Sequence, residues 1–257
     1  MKYAIAFHTD AGIKKETNQD SLVIKKAKTT NGMIAFASVC DGMGGLDKGE
    51  VASASVVQSF SDWFEHELPY ALSSVDKITQ IKQQWRTMIL EQNQKIIAYG
   101  NDAHMQMGTT CTAILLFEDG TYLIAHVGDS RIYRIKQTEI EILTEDHTLV
   151  AKDIKTGRIT KEQAEYDPRR NVLLQCIGVA DHVEPDFLEG KAGKDECYML
   201  CSDGFRHLIS EEEIQSYLSP YKNENEQIMK ESIIQLIELN MQRNETDNIT
   251  SILIKTS

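Results

Sequence analysis

The chain has 257 residues, of which 41% are hydrophobic, and its formal net charge is −12. That much apolar sequence can form a sizeable core, and the absence of linker-like or repetitive tracts predicts one domain over residues 1–257. The acidic balance argues against a nucleic-acid surface. No apolar run is long enough to cross a bilayer and the first residues do not resemble a signal peptide, so we expect no membrane insertion and a cytoplasmic location.

The cysteines also indicate a reducing compartment. There are five of them, an odd number, and they lie mostly within apolar stretches without the spacing of zinc ligands. We therefore expect buried thiols without a redox role.

The N-terminal half predicts three strands and then two helices that pair against a sheet. Runs of apolar residues indicate the strands, and apolar residues at helical spacing indicate the helices. The predicted strands lie at 3–7, 22–24 and 34–40. The first predicted helix begins at Gly49, and the second covers 78–96. A polar loop at 9–20 carries carboxylates, amides and lysines that could hold water and an anion, although an ordinary solvated loop has the same composition.

The C-terminal half predicts short strands, an irregular segment, two helices and a last strand. The first strands, at 111–117, 122–127, 131–135 and 140–143, predict an antiparallel meander. Residues 145–195 are polar and predict irregular structure with a helical piece near 161–164, either a flap over a site or a long surface loop. Another strand at 197–201, helices near 211–218 and 229–241, and a strand at 249–254 complete the chain.

Four aspartates stand at the ends of four different apolar strands, namely Asp41, Asp129, Asp203 and Asp247. Taken singly, each is most simply an ordinary turn residue. If the four strand ends converge at one sheet edge, however, their charges repel strongly unless cations neutralise them. Carboxylate oxygens suit hard divalent ions such as Mg²⁺ or Mn²⁺, and a pair of such ions can activate water and clamp a phosphoryl group. The pattern therefore predicts a two-metal hydrolytic site.

These motifs, in this order, resemble the bacterial branch of the metal-dependent type 2C (PPM) serine/threonine protein phosphatases. The resemblance covers essentially the whole chain. It is carried by Thr9-Asp10-Ala11-Gly12, Asn18-Gln19-Asp20, Asp41-Gly42-Met43-Gly44-Gly45, Gly108-Thr109-Thr110, Val127-Gly128-Asp129-Ser130-Arg131, Ser202-Asp203-Gly204 and Asp247-Asn248.

The resemblance implies an α+β fold, a four-layer α-β-β-α sandwich of two antiparallel sheets flanked by helix pairs. Periodicity by itself predicts only a mixed α+β layer fold. The resemblance also implies that the segment at about 146–177 is a flap inserted in the single domain.

The family pattern implies roles for individual residues. Asp41 would bridge two Mn²⁺ or Mg²⁺ ions and the carbonyl of Gly42 would bind one of them, while Asp203 and Asp247 would bind the other. A water activated by these ions would then attack phosphorus. Two further carboxylates complete the pattern: Asp20, with Gln19, matches positions that hold water on the metals, and Asp129 matches a ligand that shares a weaker third metal with Asp203.

The chain departs from the family pattern at three positions. Lys15 stands where many relatives have a phosphate-binding arginine, so it keeps the charge but loses the bidentate fork. Met43 stands where some relatives have a histidine that can protonate a leaving group. His207 stands where the family often has a second aspartate for the third metal, and a neutral imidazole there would favour Mn²⁺ over Mg²⁺, unless the residue simply begins a helix and points away.

Three functions are compatible with these residues. The first is a phosphoprotein phosphatase that acts on phosphoserine and phosphothreonine and opposes a bacterial Ser/Thr kinase, a partner that the resemblance implies. The second is a non-catalytic module that binds phosphoproteins, and the third is a hydrolase of a small phosphate ester.

Overall fold

The structure, a computed structural model, describes residues 1–43 and 48–257, which contain ten strands and eight helices. The strands are β1 (Tyr3–Asp10), β2 (Ser21–Thr29), β3 (Gly32–Cys40), β4 (Cys111–Leu116), β5 (Thr121–Val127), β6 (Arg131–Ile135), β7 (Ile140–Ile142), β8 (Asp186–Lys191), β9 (Cys197–Cys201) and β10 (Ile249–Thr256). The helices are α1 (Gly49–His66), α2 (Leu68–Ala71), α3 (Lys77–Ala103), α4 (Leu149–Lys155), α5 (Lys161–Glu165), α6 (Asp203–Arg206), α7 (Glu211–Leu218) and α8 (Glu226–Gln242). Part of the predicted glycine turn, Gly44 and Gly45, lies outside the described residues.

The strands form two antiparallel five-stranded sheets. One has the order β1-β10-β9-β6-β7 and the other β2-β3-β4-β5-β8. A buried apolar layer with side chains from both sheets, such as Val39 and Ile252, shows that the sheets face each other. The outer face of the β3 sheet packs on α1 and α3, and the outer face of the β10 sheet packs on α7 and α8. The four-layer α+β sandwich is therefore confirmed.

The position of strand β3 in the sandwich explains why its sequence is apolar without interruption. Phe36 contributes to the layer beneath α1 and α3, whereas its neighbours Ala35 and Ala37 contribute to the layer between the sheets. Because both faces of the strand are covered, alternation with polar residues is lost. Asp41 directly follows this buried strand.

The predicted meander is wrong, because the chain changes sheets between β5 and β6. Strand β5 pairs with β4 and β8, whereas β6 pairs with β7 and β9 in the opposite sheet. The crossing passes through Gly128, whose φ of +109° is strained for other residues and whose added Cβ would lie 2.5 Å from the Thr110 side chain. Asp129, the residue after Gly128, therefore lies where the chain passes from one sheet to the other.

The segment 145–195 is more regular than the sequence predicts. It contains the predicted helix α5, but also α4 and the edge strand β8. Strand β8 is half-exposed and has only two apolar side chains, Phe187 and Leu188, so it lacks the apolar run that identifies a buried strand. Its place in the sheet depends on pairing with β5, a contact that is distant in sequence.

Replacing Trp85 tests the packing of α3 on the β3 sheet. Its side chain is fully buried and lies edge-on to Phe60 and Trp63. We expect Trp85→Ala to lower the free energy of unfolding by about 3–5 kcal/mol, because it removes a large buried surface and leaves a cavity. Urea denaturation would measure this. Tyr70→Ala, at a side chain 78% exposed, is the matched control and should change the value by less than about 0.5 kcal/mol; equal losses would contradict this account of the core.

Candidate active site

The main chain of Asp41 is fixed by the two threonines that precede β4. The Asp41 amide donates to Thr110 Oγ1 at 2.9 Å, and the Thr110 amide donates to the Asp41 carbonyl oxygen at 2.9 Å. Thr109 Oγ1 donates to the same carbonyl oxygen at 2.9 Å. These bonds hold the strand-end carboxylate in one position relative to both β3 and β4.

Gly42 is required by close backbone packing. A Cβ at this position would lie 2.4 Å from the carbonyl oxygen of Gly49 and 2.5 Å from that of Gln19. Its amide donates to the same Gln19 oxygen at 3.1 Å. The glycine therefore lets the start of α1 and the loop before β2 meet beside Asp41.

Asp20 is buried close enough to Asp41 for its charge to raise the pKa of Asp41. Ser202 Oγ donates to Asp20 Oδ2 at 2.8 Å, but Asp20 Oδ1 is buried without a hydrogen-bond partner. The pKa of Asp20 is raised to about 7, chiefly by burial and also by the charges of Asp203 and Asp247, although the hydroxyls of Thr250 and Ser202 act in the opposite direction. The carboxyl thus has an oxygen that lacks a donor or a cation.

The four aspartates around Asp41 are close enough to affect its ionisation. Burial raises the pKa of Asp41 well above its usual range, and so do the charges of the other four. They are Asp20, Asp203, Asp129 and Asp247. Asp41 is therefore within electrostatic range of the three other strand-end aspartates and of Asp20.

Asp203 behaves differently from Asp41 because it has cationic neighbours. Although burial opposes it, hydrogen bonds from His207 and Asp41 and the charge of Arg206 hold the pKa of Asp203 below its usual range. Asp203 thus differs from Asp41 in the direction of its pKa shift.

Asn248 holds the polar loop against the start of β10. Its Nδ2 donates to the carbonyl oxygens of Ala11 and Thr17 at 3.0 and 3.2 Å, and its Oδ1 accepts from the Gln19 amide at 2.9 Å. The loop thereby places Lys15 Nζ 3.3 Å from Asp247 Oδ1. Lys15 therefore contacts Asp247, one of the predicted metal ligands.

His207 does not point away from the site, yet both of its ring nitrogens have partners. Nε2 lies 3.2 Å from Asp203 Oδ2 and Nδ1 lies 3.3 Å from Glu245 Oε2. Although burial opposes it, hydrogen bonds with these two carboxylates raise the pKa of His207 to about 10. In this arrangement His207 positions Asp203, and neither of its ring nitrogens is free for a metal.

Sequence reasoning missed four residues that position the site. They are Arg206, Asp146, Glu245 and Ser202. Arg206 contacts Asp129 and Asp146, Glu245 contacts His207, and Ser202 donates to Asp20. One signal was available, because a cation stands one helical turn after the strand-end Asp203. The others depend on contacts between residues far apart in sequence.

The side chains fit a divalent cation by their chemistry. They supply hard oxygen donors, excess negative charge and the unpartnered Asp20 Oδ1. In the described part of the chain, no three His, Cys, Asp or Glu side chains are arranged to hold an ion as they stand. Lys15 and His207 contact Asp247 and Asp203 instead, so binding would have to displace these contacts.

Fold and site together define a class of protein, an α+β sandwich hydrolase with clustered carboxylates at the strand ends. The chain belongs to the protein phosphatase 2C family, whose model matches residues 9–238. It is accordingly a serine/threonine protein phosphatase of the bacterial PPM type.

Individual relatives support this assignment. A putative protein phosphatase 2C-type protein of Streptococcus pyogenes is 33% identical over 252 residues, which are 97% of this chain and 96% of that protein. The serine/threonine phosphatase of S. agalactiae has a similar structure, with a TM-score of 0.85, 32% identity and complete coverage of both chains. The catalytic domain of the phosphatase PstP, solved with two manganese ions, has a TM-score of 0.78 and 29% identity, covering 98% of this chain and 97% of that one.

Across residues 1–43 and 48–257, no helix combines the length and the apolar character needed to span a membrane.

His126 links the site to the base of the segment 146–177. Its Nδ1 accepts from Thr112 Oγ1 at 2.9 Å and its Nε2 donates to the Glu145 carbonyl oxygen at 3.1 Å. The pKa of His126 is lowered to about 4, chiefly by burial and also by the adjacent His147. The folded protein therefore needs the neutral imidazole.

This burial predicts an acid-sensitive contribution to stability. The unfolded chain protonates His126 near pH 6.5 and the folded chain only near pH 4. The stability that depends on the neutral ring is thus present above pH 6.5 and is lost as the pH falls through this window, by about 2 kcal/mol at pH 4.5. Urea denaturation of chelator-treated wild type and His126→Gln should show their difference shrinking by that amount between pH 7 and 4.5. The exposed His182→Gln control should show no such change, and a pH-independent difference for His126→Gln would contradict the prediction.

Proposed function

We propose that the carboxylates around Asp41 bind two divalent cations, and that the phosphatase uses them to hydrolyse phosphoserine and phosphothreonine in proteins. The observation that carries the proposal is the raised pKa of Asp41 among four other buried or half-buried aspartates. A cluster of this kind is stable only with added positive charge. The two manganese ions of the related PstP structure support the choice of cation.

In the proposed site, Asp41, the Gly42 carbonyl, Asp203 and Asp247 hold the two cations. Asp20 orients water from the buried side, because its Oδ1 has no other partner. When bound, the cations supply an activated water nucleophile and positive charge for the phosphoryl group. The threonine contacts to the Asp41 main chain keep the central carboxylate in place during turnover.

Lys15 is proposed to bind the substrate phosphate. Its ammonium lies 3.3 Å from Asp247 and its side chain is 29% exposed, so it is at the site but reachable from solvent. Once cations neutralise Asp247, the ammonium is free to pair with a phosphate oxygen. Lysine gives a single charged contact on a flexible stem, without the bidentate geometry of arginine.

The wider context of the activity is also part of the proposal. We expect a Ser/Thr kinase to produce the phosphoprotein substrates and the protein to act in the cytoplasm. The five cysteines are all buried free thiols, which suits a reducing compartment. Residues 146–177, which carry α4 and α5, are proposed as a flap within one domain.

Replacing Asp41 tests the metal-dependent mechanism. Asp41→Asn keeps the shape of the side chain but removes the central charge, so we expect turnover to fall to background and Mn²⁺ binding to weaken. Initial rates with a phosphothreonine peptide, with and without Mn²⁺, would measure the first effect, and calorimetry the second. Asp102→Asn, at an exposed position of α3, is the matched control.

The same assay separates the competing functions. The proposal requires Mn²⁺-dependent hydrolysis of the phosphopeptide with a higher kcat/KM than for p-nitrophenyl phosphate. Turnover of only the small ester would favour a small-ester hydrolase, and peptide binding without turnover would favour a non-catalytic module. Full activity in excess chelator would show that the mechanism does not use divalent cations.

Replacing Lys15 tests its role in binding. We expect Lys15→Ala to raise KM for the phosphopeptide about tenfold while kcat changes less than about twofold, because the same contact serves ground state and transition state. Lys14→Ala, at the exposed neighbouring position, should leave both constants near wild type. A fall in kcat at constant KM would instead place Lys15 in the chemical step.

A further inference from the structure

The surroundings of Asp129 differ from those of the other aspartates in the site. Its carboxylate is nearly buried, and the contact that neutralises it is a guanidinium: Arg206 Nη2 lies 3.6 Å from Asp129 Oδ2 and donates to the Asp129 carbonyl oxygen at 3.0 Å. Arg206 is itself 15% exposed in its side chain. A cation of the chain therefore already lies where the sequence pattern predicted a third metal ion.

Arg206 is held in this position by a second acidic residue. Its Nη2 lies 3.4 Å from Asp146 Oδ2, and Asp146 also accepts two hydrogen bonds from Arg131, at 2.8 and 2.7 Å. The four side chains form a row in which charges alternate, Arg131, Asp146, Arg206 and Asp129. The row has two positive and two negative charges, so it is neutral without an added ion.

The neighbouring residue, His207, also contacts one of the two aspartates in question. Its Nε2 lies 3.2 Å from Asp203 Oδ2 and its Nδ1 lies 3.3 Å from Glu245 Oε2. A divalent ion placed between Asp129 and Asp203 would lie next to the guanidinium of Arg206. Repulsion between two cations at such short range in a buried site is severe.

We infer that Arg206 takes the place of a third divalent cation beside Asp129, so that this phosphatase binds two divalent ions at its site and none that depends on Asp129. Arginine is suited to the task, because it stays charged at all relevant pH values, and here its Nη2 contacts both Asp129 and Asp146. The inference rests on the proposed function only for the two core ions.

Asp129 in this account is a positioning residue. With Arg206 as its partner, it ties the start of β6 and the base of the segment 146–177, through Asp146, to α6 and thus to Asp203. A swing of Arg206 away from Asp129 would leave that buried carboxylate without a cation and would also break the contact with Asp146, both of which are costly.

Metal stoichiometry tests the inference without an activity assay. Equilibrium dialysis against Mn²⁺, followed by metal analysis, should give two ions per chain for wild type and the same number for Asp129→Asn. The double variant Arg206→Thr/His207→Asp removes the guanidinium and replaces the imidazole with a carboxylate, so it should gain a third, weaker ion. Adding Asp129→Asn to the double variant should remove that ion again. Arg158→Thr, whose arginine pairs with Asp153 inside the proposed flap, should bind as many ions as wild type.

Each outcome decides between the alternatives. Three ions in wild type, with one lost in Asp129→Asn, would overturn the inference and show that Arg206 moves aside for a metal. Fewer than two ions in wild type would contradict the proposed two-metal core, whereas the inference would still stand or fall on whether Asp129→Asn changes the number bound. If the double variant does not fold, as circular dichroism would show, the comparison of wild type with Asp129→Asn remains decisive.

Discussion

Repulsion among buried carboxylates is the constraint on which the rest of this structure depends. Asp41 lies among four other aspartates, and burial and their charges together raise its pKa. Such a cluster lowers stability unless protons, side-chain cations or metal ions balance it. The clustered charges lie together at the ends of strands. The remaining length of these strands is buried in apolar layers on both faces. Burial of the apolar core thus offsets the free-energy cost of the repulsion among the carboxylates.

Neutral donors hold the cluster in position. Thr109 and Thr110 fix the main chain of Asp41, Ser202 fixes Asp20, and Asn248 ties the polar loop to the start of β10. Hydroxyl and amide groups can do this without adding charge, so they leave the excess negative charge available to bind cations. Because these donors come from both sheets, the geometry of the site depends on the sandwich as a whole.

Cations of the chain divide the site into two parts. Lys15 pairs with Asp247 through a half-exposed contact that a metal ion or a phosphate can displace. Arg206, in contrast, is nearly buried and lies between Asp129 and Asp146, and Asp146 is also bound by Arg131. The first contact can exchange with a ligand, whereas the second is held on both sides. Under the inference above, the site keeps the acidic residues of the family pattern while fewer of them hold metal.

In the sequence by itself, apolar periodicity predicted mixed α+β layers, and the short motifs predicted the sandwich and the family through their resemblance, because periodicity and motifs are local properties. The sequence also predicted that Asp41, Asp129, Asp203 and Asp247 converge, since each stands next to the end of a strand, and the last three are close enough to raise the pKa of Asp41. Only the tertiary structure decided how the strands divide between the sheets, because β5 and β6 read as one meander until their pairing with β8 and β9 is known. It also decided the partners of His207 and Arg206, since Glu245, Asp146 and Asp129 are distant in sequence, and charge pairing in a buried site is set by spatial proximity.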